Sequence, residues 1–312
     1  MEKLAPVALF VYNRPDHTLQ TLEALSINLL ADQTNLFVFL DGPKDGADPN
    51  TIALIRETKN VINSRQWCKE QILIERETNL GLAESIIQGV TNLVNQFGSI
   101  IVLEDDLVTS KYFLSFMNKA LNTFELEGKV ACISGYNYPV ENKLPETFFL
   151  KGADCWGWAT WKRSWNDFEP NGQKLADKIK ILKRESEFDF DNSFPYFQML
   201  LDQISKKNNS WAIRWYASAF LKDKLCLYPG VSLIKNIGLD GSGTHSGSGL
   251  DFMNAVLLED HDVTINSSML LEEDRASKLI LVNYFRKNFT MQPIGYFQRI
   301  EKFILKFIKK YK

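Results

Sequence analysis

Over its first hundred residues the chain alternates between short apolar runs and segments of helical period, and no other feature narrows the fold as much. Residues 6–12 (PVALFVY) read as a strand without polar alternation, and residues 18–30 follow with Leu19, Leu22, Leu25 and Leu29 on one helical face. Residues 35–40 form a second strand, closed by the turn signal Asp41-Gly42-Pro43. The pattern predicts a helix over 51–64, a strand over 71–76, an amphipathic helix over 82–97 and a strand over 99–103 that ends in Glu104-Asp105-Asp106. Strand, helix, strand, helix in this order requires parallel pairing, with helices on both faces of the sheet. Ligands of such sheets bind beyond the carboxyl ends of the strands. Three of these strands end in polar groups there: Asn13-Arg14, Asp41-Gly42 and Glu104-Asp105-Asp106.

Beyond a predicted helix over 111–126 and a strand over 130–134 the chain becomes aromatic and irregular, with Cys155-Trp156-Gly157-Trp158-Ala159-Thr160-Trp161 and then Trp165. A charged helix is expected over 175–187, another from about 210, and a strand over 225–231. Residues 238–247 (GLDGSGTHSG) are too rich in glycine for either period and read as a loop.

The chain has 312 residues, 45% of them hydrophobic and 24% charged, enough for one large α/β domain or two modest ones. A net charge of −2 makes the whole molecule a poor match for a polyphosphate backbone, so nucleic acid is not expected as a partner. The charge is unevenly placed. From Arg286 onward there are eight Lys or Arg and one acid, Glu301. Phe297, Ile300, Ile304, Phe307, Ile308 and Tyr311 recur there at three- and four-residue steps, the pattern of a basic amphipathic helix suited to an anionic membrane surface. An ordinary helix packed on the body is the other reading. The four cysteines are far apart, with no C-x-x-C pair, which fits a reducing compartment. Neither a signal peptide nor an apolar stretch of the roughly 18–20 residues that span a bilayer is written here, so the expected location is the cytoplasm, peripheral on its membrane face.

Three adjacent carboxylates after a buried strand repel one another. A hard divalent cation, Mn2+ or Mg2+, held by one or two of them together with substrate phosphates would offset that repulsion. A solvated acidic turn that caps the next helix is the alternative. Asp41 can accept from an imide N–H or a sugar hydroxyl, or simply close a turn. Arg76 with Asn79 and Gly81 suits a diphosphate, or a helix cap.

Taken in order, Tyr12-Asn13-Arg14-Pro15, Leu40-Asp41-Gly42, Arg76-Glu77-Thr78-Asn79-Leu80-Gly81-Leu82, Glu104-Asp105-Asp106, and Trp156-Gly157-Trp158 followed by Trp165-Asn166-Asp167-Phe168-Glu169-Pro170 resemble the motifs of GT-A glycosyltransferases. The similarity is to the N-acetylglucosaminyltransferase branch that starts complex N-glycans and to related bacterial sugar transferases, over about residues 5–250. It implies a GT-A, Rossmann-like, mostly parallel sheet flanked by helices. The nucleotide-sugar half would be residues 1–126, the acceptor half of the same domain 127–250, and a C-terminal extension with the basic helix 251–312. It further implies a donor site of Tyr12, Asn13, Arg14, Asp41, Arg76, Asn79, Gly81, Glu104 and Asp105. Asp106 would ligate the metal, with His245 from the glycine-rich loop as a second ligand. Trp156, Trp158 and Trp211 would line the acceptor or sugar pocket. Related inverting enzymes carry a catalytic carboxylate just before a Trp like Trp211. Asn208-Asn209-Ser210 stands there, which leaves Asp202 and Asp240 as the nearest candidates for the base.

The expected reaction is metal-dependent transfer of a hexose or N-acetylhexosamine from a nucleoside diphosphate sugar, UDP-linked, to a hydroxyl of a surface-glycan precursor, with inversion; the acceptor could be lipid-linked. The rivals are a sugar nucleotidyltransferase, whose Gly-rich, Lys/Arg-bearing loop after the first strand is not written in Asn13-Arg14-Pro15-Asp16, and a non-catalytic glycan- or nucleotide-binding protein on the same scaffold.

Overall fold

The computed structural model describes residues 4–238, 255–258 and 261–288. Strands β1 (Val7–Val11), β2 (Asn35–Leu40), β3 (Glu70–Glu75) and β4 (Ser99–Glu104) come first in the chain, and a short β5 (Leu107–Thr109) follows. Strands β6 (Val130–Ser134), β7 (Thr147–Lys151), β8 (Trp158–Trp161), β9 (Leu225–Pro229) and β10 (Ile234–Asn236) come later. One eight-stranded sheet has the order β3-β2-β1-β4-β8-β6-β9-β7, and β5 with β10 makes a small antiparallel pair beside it. β1 is parallel to β2 and β4, β2 to β3, and β6 to β9. β8 runs antiparallel between β4 and β6, and β7 antiparallel on β9. The fold is α/β and Rossmann-like, a mostly parallel sheet flanked by helices.

Burial on both faces explains why the strands lack polar alternation. Val7, Leu9 and Val11 belong to one core, which takes in Leu22 and Leu25 of α1 (Pro15–Ser26) and Ile62 of α2 (Pro49–Asn63). Ala8 and Phe10 belong to the core on the other face, with Ile86, Val90 and Leu93 of α3 (Leu82–Phe97). α4 (Phe113–Thr123) fills the first core through Phe113, Phe116 and Met117.

The later helices are α5 (Lys162–Trp165), α6 (Gly172–Ile181), α7 (Glu185–Phe188), α8 (Tyr196–Ile204), α9 (Trp211–Phe220) and α10 (Arg275–Asn288). α6 to α9 enclose a third core around Phe188 and Phe220. α9 starts where Ser210 accepts from the Ile213 N–H, an N-cap.

Several expectations are corrected here. α1 begins at Pro15, whose fixed φ suits the first helical position, and stops at Ser26, so Leu29 is exposed. The helix expected over 175–187 is two, broken at Lys183, which adopts φ +53°. The acidic turn does not cap a helix: Asp105-Asp106 turns β4 into β5. Parts of the expected C-terminal extension pack on the body, where α10 buries Leu281, Val282 and Phe285.

All the parallel strands end at one edge of the sheet. β8 enters from that edge, with Trp158 opposite Val102 of β4 and Ser134 of β6. The loop that precedes Trp158 therefore lies beside the carboxyl ends of β4 and β6.

Candidate functional site

In the order β3-β2-β1-β4 the chain reverses direction of winding at β1, which has β2 on one side and β4 on the other. α1 and α3, which follow β1 and β3, cover opposite faces. The crevice outside the ends of β1 and β4 is where a sheet of this kind leaves room for a ligand. Arg14 stands at the end of β1, and Glu104, Asp105 and Asp106 at the end of β4.

These groups meet. Arg14 grips Asp105 through Nε and Nη2, and Nη2 also donates to Asp106 Oδ2 at 2.8 Å. Asp105 is buried, and its backbone carbonyl accepts from Thr21 Oγ1 at 2.8 Å. Burial would lower the Arg14 pKa, but the two carboxylates outweigh it and raise the net value. Burial, then the charges of Asp106 and Asp105, push Glu104 well above the carboxylate range, against the pull of Arg14. Burial likewise raises Asp105, with Arg14 opposing. Arg14 therefore supplies one internal counter-charge to a cluster of three acids, and its Nη1 is buried without a hydrogen-bond partner.

Above Asp106 the chain closes in. Ile237 N–H donates to the Asp106 carbonyl at 2.9 Å, and a Cβ on Gly238 would lie 2.1 Å from Asp106 Oδ2. Only glycine lets the backbone pass so near this carboxylate. Asp240 and His245 lie outside the described residues.

For a divalent cation the donor set is two hard carboxylates, Asp105 and Asp106, at the crevice. Among the described residues no three or more His, Cys, Asp or Glu side chains are grouped to hold a metal by themselves. The residues fit a cation that takes part of its shell from substrate phosphates, the habit of Mg2+ and of cations like it, and not one caged by protein alone.

The other predicted donor residues divide. Asp41 is buried, and its carboxylate accepts from Leu80 and Gly81 N–H at 2.9 Å each and from Gly42 N–H at 3.1 Å. Asn79 Nδ2 donates to the Gly42 carbonyl at 2.9 Å. Oδ1 takes two of these bonds and Oδ2 one, so Asp41 clamps the β2 end to the loop before α3. Arg76 is half-buried, reaches Gln88 at 3.3 Å and leaves Nε without a partner. Tyr12 is half-buried beside the Lys44 backbone, which it meets through its hydroxyl. Asn13 stands half-buried at the end of β1.

The tryptophans divide too. Trp158 has no exposed surface, and its ring lies 5.4 Å from Trp211, 5.8 Å from Trp165 and 6.0 Å from Trp215. Trp158 and Trp211 are core, not pocket wall, because β8 is a central strand and α9 packs over it. Trp156 is half-buried and packs edge-on against Tyr136 at 4.7 Å, so it keeps a free part. Asp202 sits on α8, where Gln198 and Lys207 each bond its Oδ1 at 3.0 Å. That helix packs on α6, α7 and α9, so Asp202 belongs to the helical layer and not to the strand ends.

Sequence reasoning passed over Asp154. It lies in the loop before Trp158, and its Oδ1 accepts from Cys155 N–H at 2.6 Å and Trp156 N–H at 3.3 Å. The Tyr228 hydroxyl of β9 also bonds it. The available signal was an acid two residues before the Trp-Gly-Trp block.

No family model matches the chain, and no curated protein matches it. Among solved structures it is similar to TarS of S. aureus, at 15% identity and a TM-score of 0.29 over 47% of this chain and 24% of that one. For a shorter TarS piece, residues 1–349, the figures are 12%, 0.29, 48% and 41%. The chain thus spans about a quarter and two fifths of these two. It is also similar to a UDP-glucose pyrophosphorylase complexed with UDP-glucose, at 11% identity and TM-score 0.34 over 72% and 90% of the two chains. Mouse xyloside xylosyltransferase 1 stands at 13% and 0.34, over 57% and 77%. Likenesses this slight carry no chemistry across.

Proposed function

We propose that the chain is a glycosyltransferase that moves a hexose or N-acetylhexosamine from a UDP-linked nucleoside diphosphate sugar to a hydroxyl of a surface-glycan precursor, with inversion. The carrying observation is the meeting of Arg14 with Asp105 and Asp106 in the crevice where the winding of the sheet reverses. The kinship with the N-acetylglucosaminyltransferase branch rests on sequence motifs alone. Arg14, with Nη1 unpartnered, offers positive charge to a diphosphate, and Arg76 offers more from the end of β3, two strands away. The clamp of Asp41 on Leu80 and Gly81 ties the β2 end to the loop before α3, and the N-terminus of a helix such as α3 suits an anionic group. Asp105 and Asp106 would hold Mn2+ or Mg2+, which when bound stabilises the departing nucleoside diphosphate as a Lewis acid. The acceptor, lipid-linked in this reading, would be met at a membrane surface reached through the basic segment after Arg286.

A thermal-shift panel of nucleotide sugars with and without manganese tests this, because a ligand that binds the native state raises its melting temperature. The expected result is stabilisation by a UDP-sugar in the presence of manganese, release of UDP on incubation, and loss of both in Asp106→Ala, which melts within a few degrees of the wild type. Manganese-dependent binding without any UDP release would favour a binding protein. Unchanged turnover in Asp106→Ala would end the metal assignment.

A further inference from the structure

We propose that Asp154 is the general base of this site, taking the proton from the acceptor hydroxyl; this rests on the transferase reading above. Transfer to a hydroxyl needs a proton acceptor beside the attacking oxygen. Asp202 is held in the helical layer by Lys207, and Asp105 and Asp106 are gripped by Arg14. Asp154 differs from all three. Among the described residues it makes no ion pair, and its bonds come from two backbone N–H groups and one tyrosine hydroxyl.

Its place is set by the sheet. The loop 152–157 runs into β8, which lies against β4 at Val102 and against β6 at Ser134. Asp154 therefore sits at the same edge as the acidic cluster, and its neighbour Cys155 lies within electrostatic reach of both Glu104 and Asp106. β8, which this loop enters, is the next strand to β4 in the sheet, and adjacent strands lie ~4.8 Å apart. Half-buried rings flank it: Trp156 on its own loop, Tyr138 after β6, and Tyr196 at the start of α8. Flat rings with polar tips around one carboxylate suit a pyranose, whose apolar face stacks while its hydroxyls bond.

The titratable groups that face Asp154 are Tyr136, Tyr138, Tyr196, Tyr228, Cys155 and Cys226. None of these is a cation, so nothing here holds the carboxyl low by charge. Burial raises its pKa, against the N–H groups of Cys155 and Trp156 and the Tyr228 hydroxyl. A raised value makes a better base near neutrality. In the step, the acceptor O–H proton passes to a carboxylate oxygen of Asp154 as the oxygen bonds to the anomeric carbon. The bond from that carbon to the donor phosphate oxygen breaks, and the nucleoside diphosphate leaves with the electron pair.

The test uses the full chain with the UDP-sugar that the thermal-shift panel identifies, and reads UDP release against pH with and without added sugar acceptors. Asp154→Asn is expected to lower kcat by about 10²-fold or more while the manganese-dependent thermal shift with donor stays that of the wild type. The wild-type acid limb of kcat is expected above the ordinary Asp range near pH ~4 and to vanish in the variant. Tyr228→Phe removes a bond that favours the ionised form, so it should move that limb to higher pH; this reads the same carboxyl even if Asp154→Asn fails to fold. A folded, donor-binding Asp154→Asn with turnover within twofold of the wild type would overturn the assignment, as would an unmoved limb in Tyr228→Phe. A wild-type chain that neither binds nor cleaves any nucleotide sugar would instead overturn the transferase reading and take the base with it.

Discussion

Gly42 is the residue on which the donor-side edge turns most tightly. A Cβ there would lie 2.6 Å from the Arg76 carbonyl oxygen and 2.7 Å from Glu77 C and Thr78 N, all of them backbone. Backbone cannot swing aside as a flexible side chain does, so Gly42→Ala must push the β3–α3 loop outward. Overpacking of this sort costs about 1–3 kcal/mol. The displaced loop would also stretch the bonds from Leu80 and Gly81 to Asp41. We expect Gly42→Ala to lower the urea midpoint by a corresponding amount and to weaken nucleotide binding together with it. Equal midpoints for variant and parent would mean that the loop does not lie so close. The same two-residue motif also holds one loop on another.

At the scale of elements, what could be read from the chain depended on whether a segment's surroundings were local. β2, α3 and β6 were legible to the residue, because an apolar run or an amphipathic period is a property of the segment itself. β8 was not. Trp158-Ala159-Thr160-Trp161 looks like a pocket-lining aromatic motif, and only its pairing with β4 and β6 puts it in mid-sheet. In the site, the acids at the end of β4 were legible for the same local reason, whereas the role of Arg14 as their counter-charge required two strand ends 91 residues apart to be neighbours. Asp154 was missed because its neighbours, Tyr228 of β9 and Tyr138 in the loop after β6, come from other parts of the chain. The two tryptophans of the motif should separate experimentally. Trp158→Ala empties a fully buried site in a cluster of four indoles and should cost about 3–5 kcal/mol. Trp158→Phe should cost much less, since the Trp158 indole N–H is buried without a partner and its loss forfeits no bond. Trp156→Ala, at a half-buried ring, should cost about 1–2 kcal/mol yet raise KM for the sugar acceptor. Urea melts and acceptor kinetics on the three variants check this, and comparable destabilisation by Trp156→Ala and Trp158→Ala would contradict it.

For the whole molecule the open matter is where the body stops and the basic segment begins. α10 belongs to the body: Phe285 is buried, with its ring 4.7 Å from Tyr138, 5.3 Å from Phe194 and 5.5 Å from Phe190. Two of the eight basic residues counted from Arg286 are also engaged there, Arg286 with the Asp191 carbonyl at 2.9 Å and Lys287 with Glu141 at 3.3 Å. The charge left for a membrane is that of Arg299, Lys302, Lys306, Lys309, Lys310 and Lys312, against Glu301, all outside the described residues. Among the described residues no helix is long and apolar enough to cross a membrane. Each basic side chain near an anionic surface contributes roughly 1 kcal/mol, and this falls as salt shortens the Debye length. We therefore expect the intact chain to sediment with vesicles rich in anionic lipid at low salt and to be released as salt rises. Truncation after Asn288 should abolish sedimentation, because it removes these six basic residues. It should leave the melting temperature within a few degrees and transfer to a soluble acceptor unchanged, because α10 and its Phe285 anchor remain. If the truncated chain still sediments, the binding surface lies on the body; if it no longer melts cooperatively, the segment is part of the core and its charge has no membrane role.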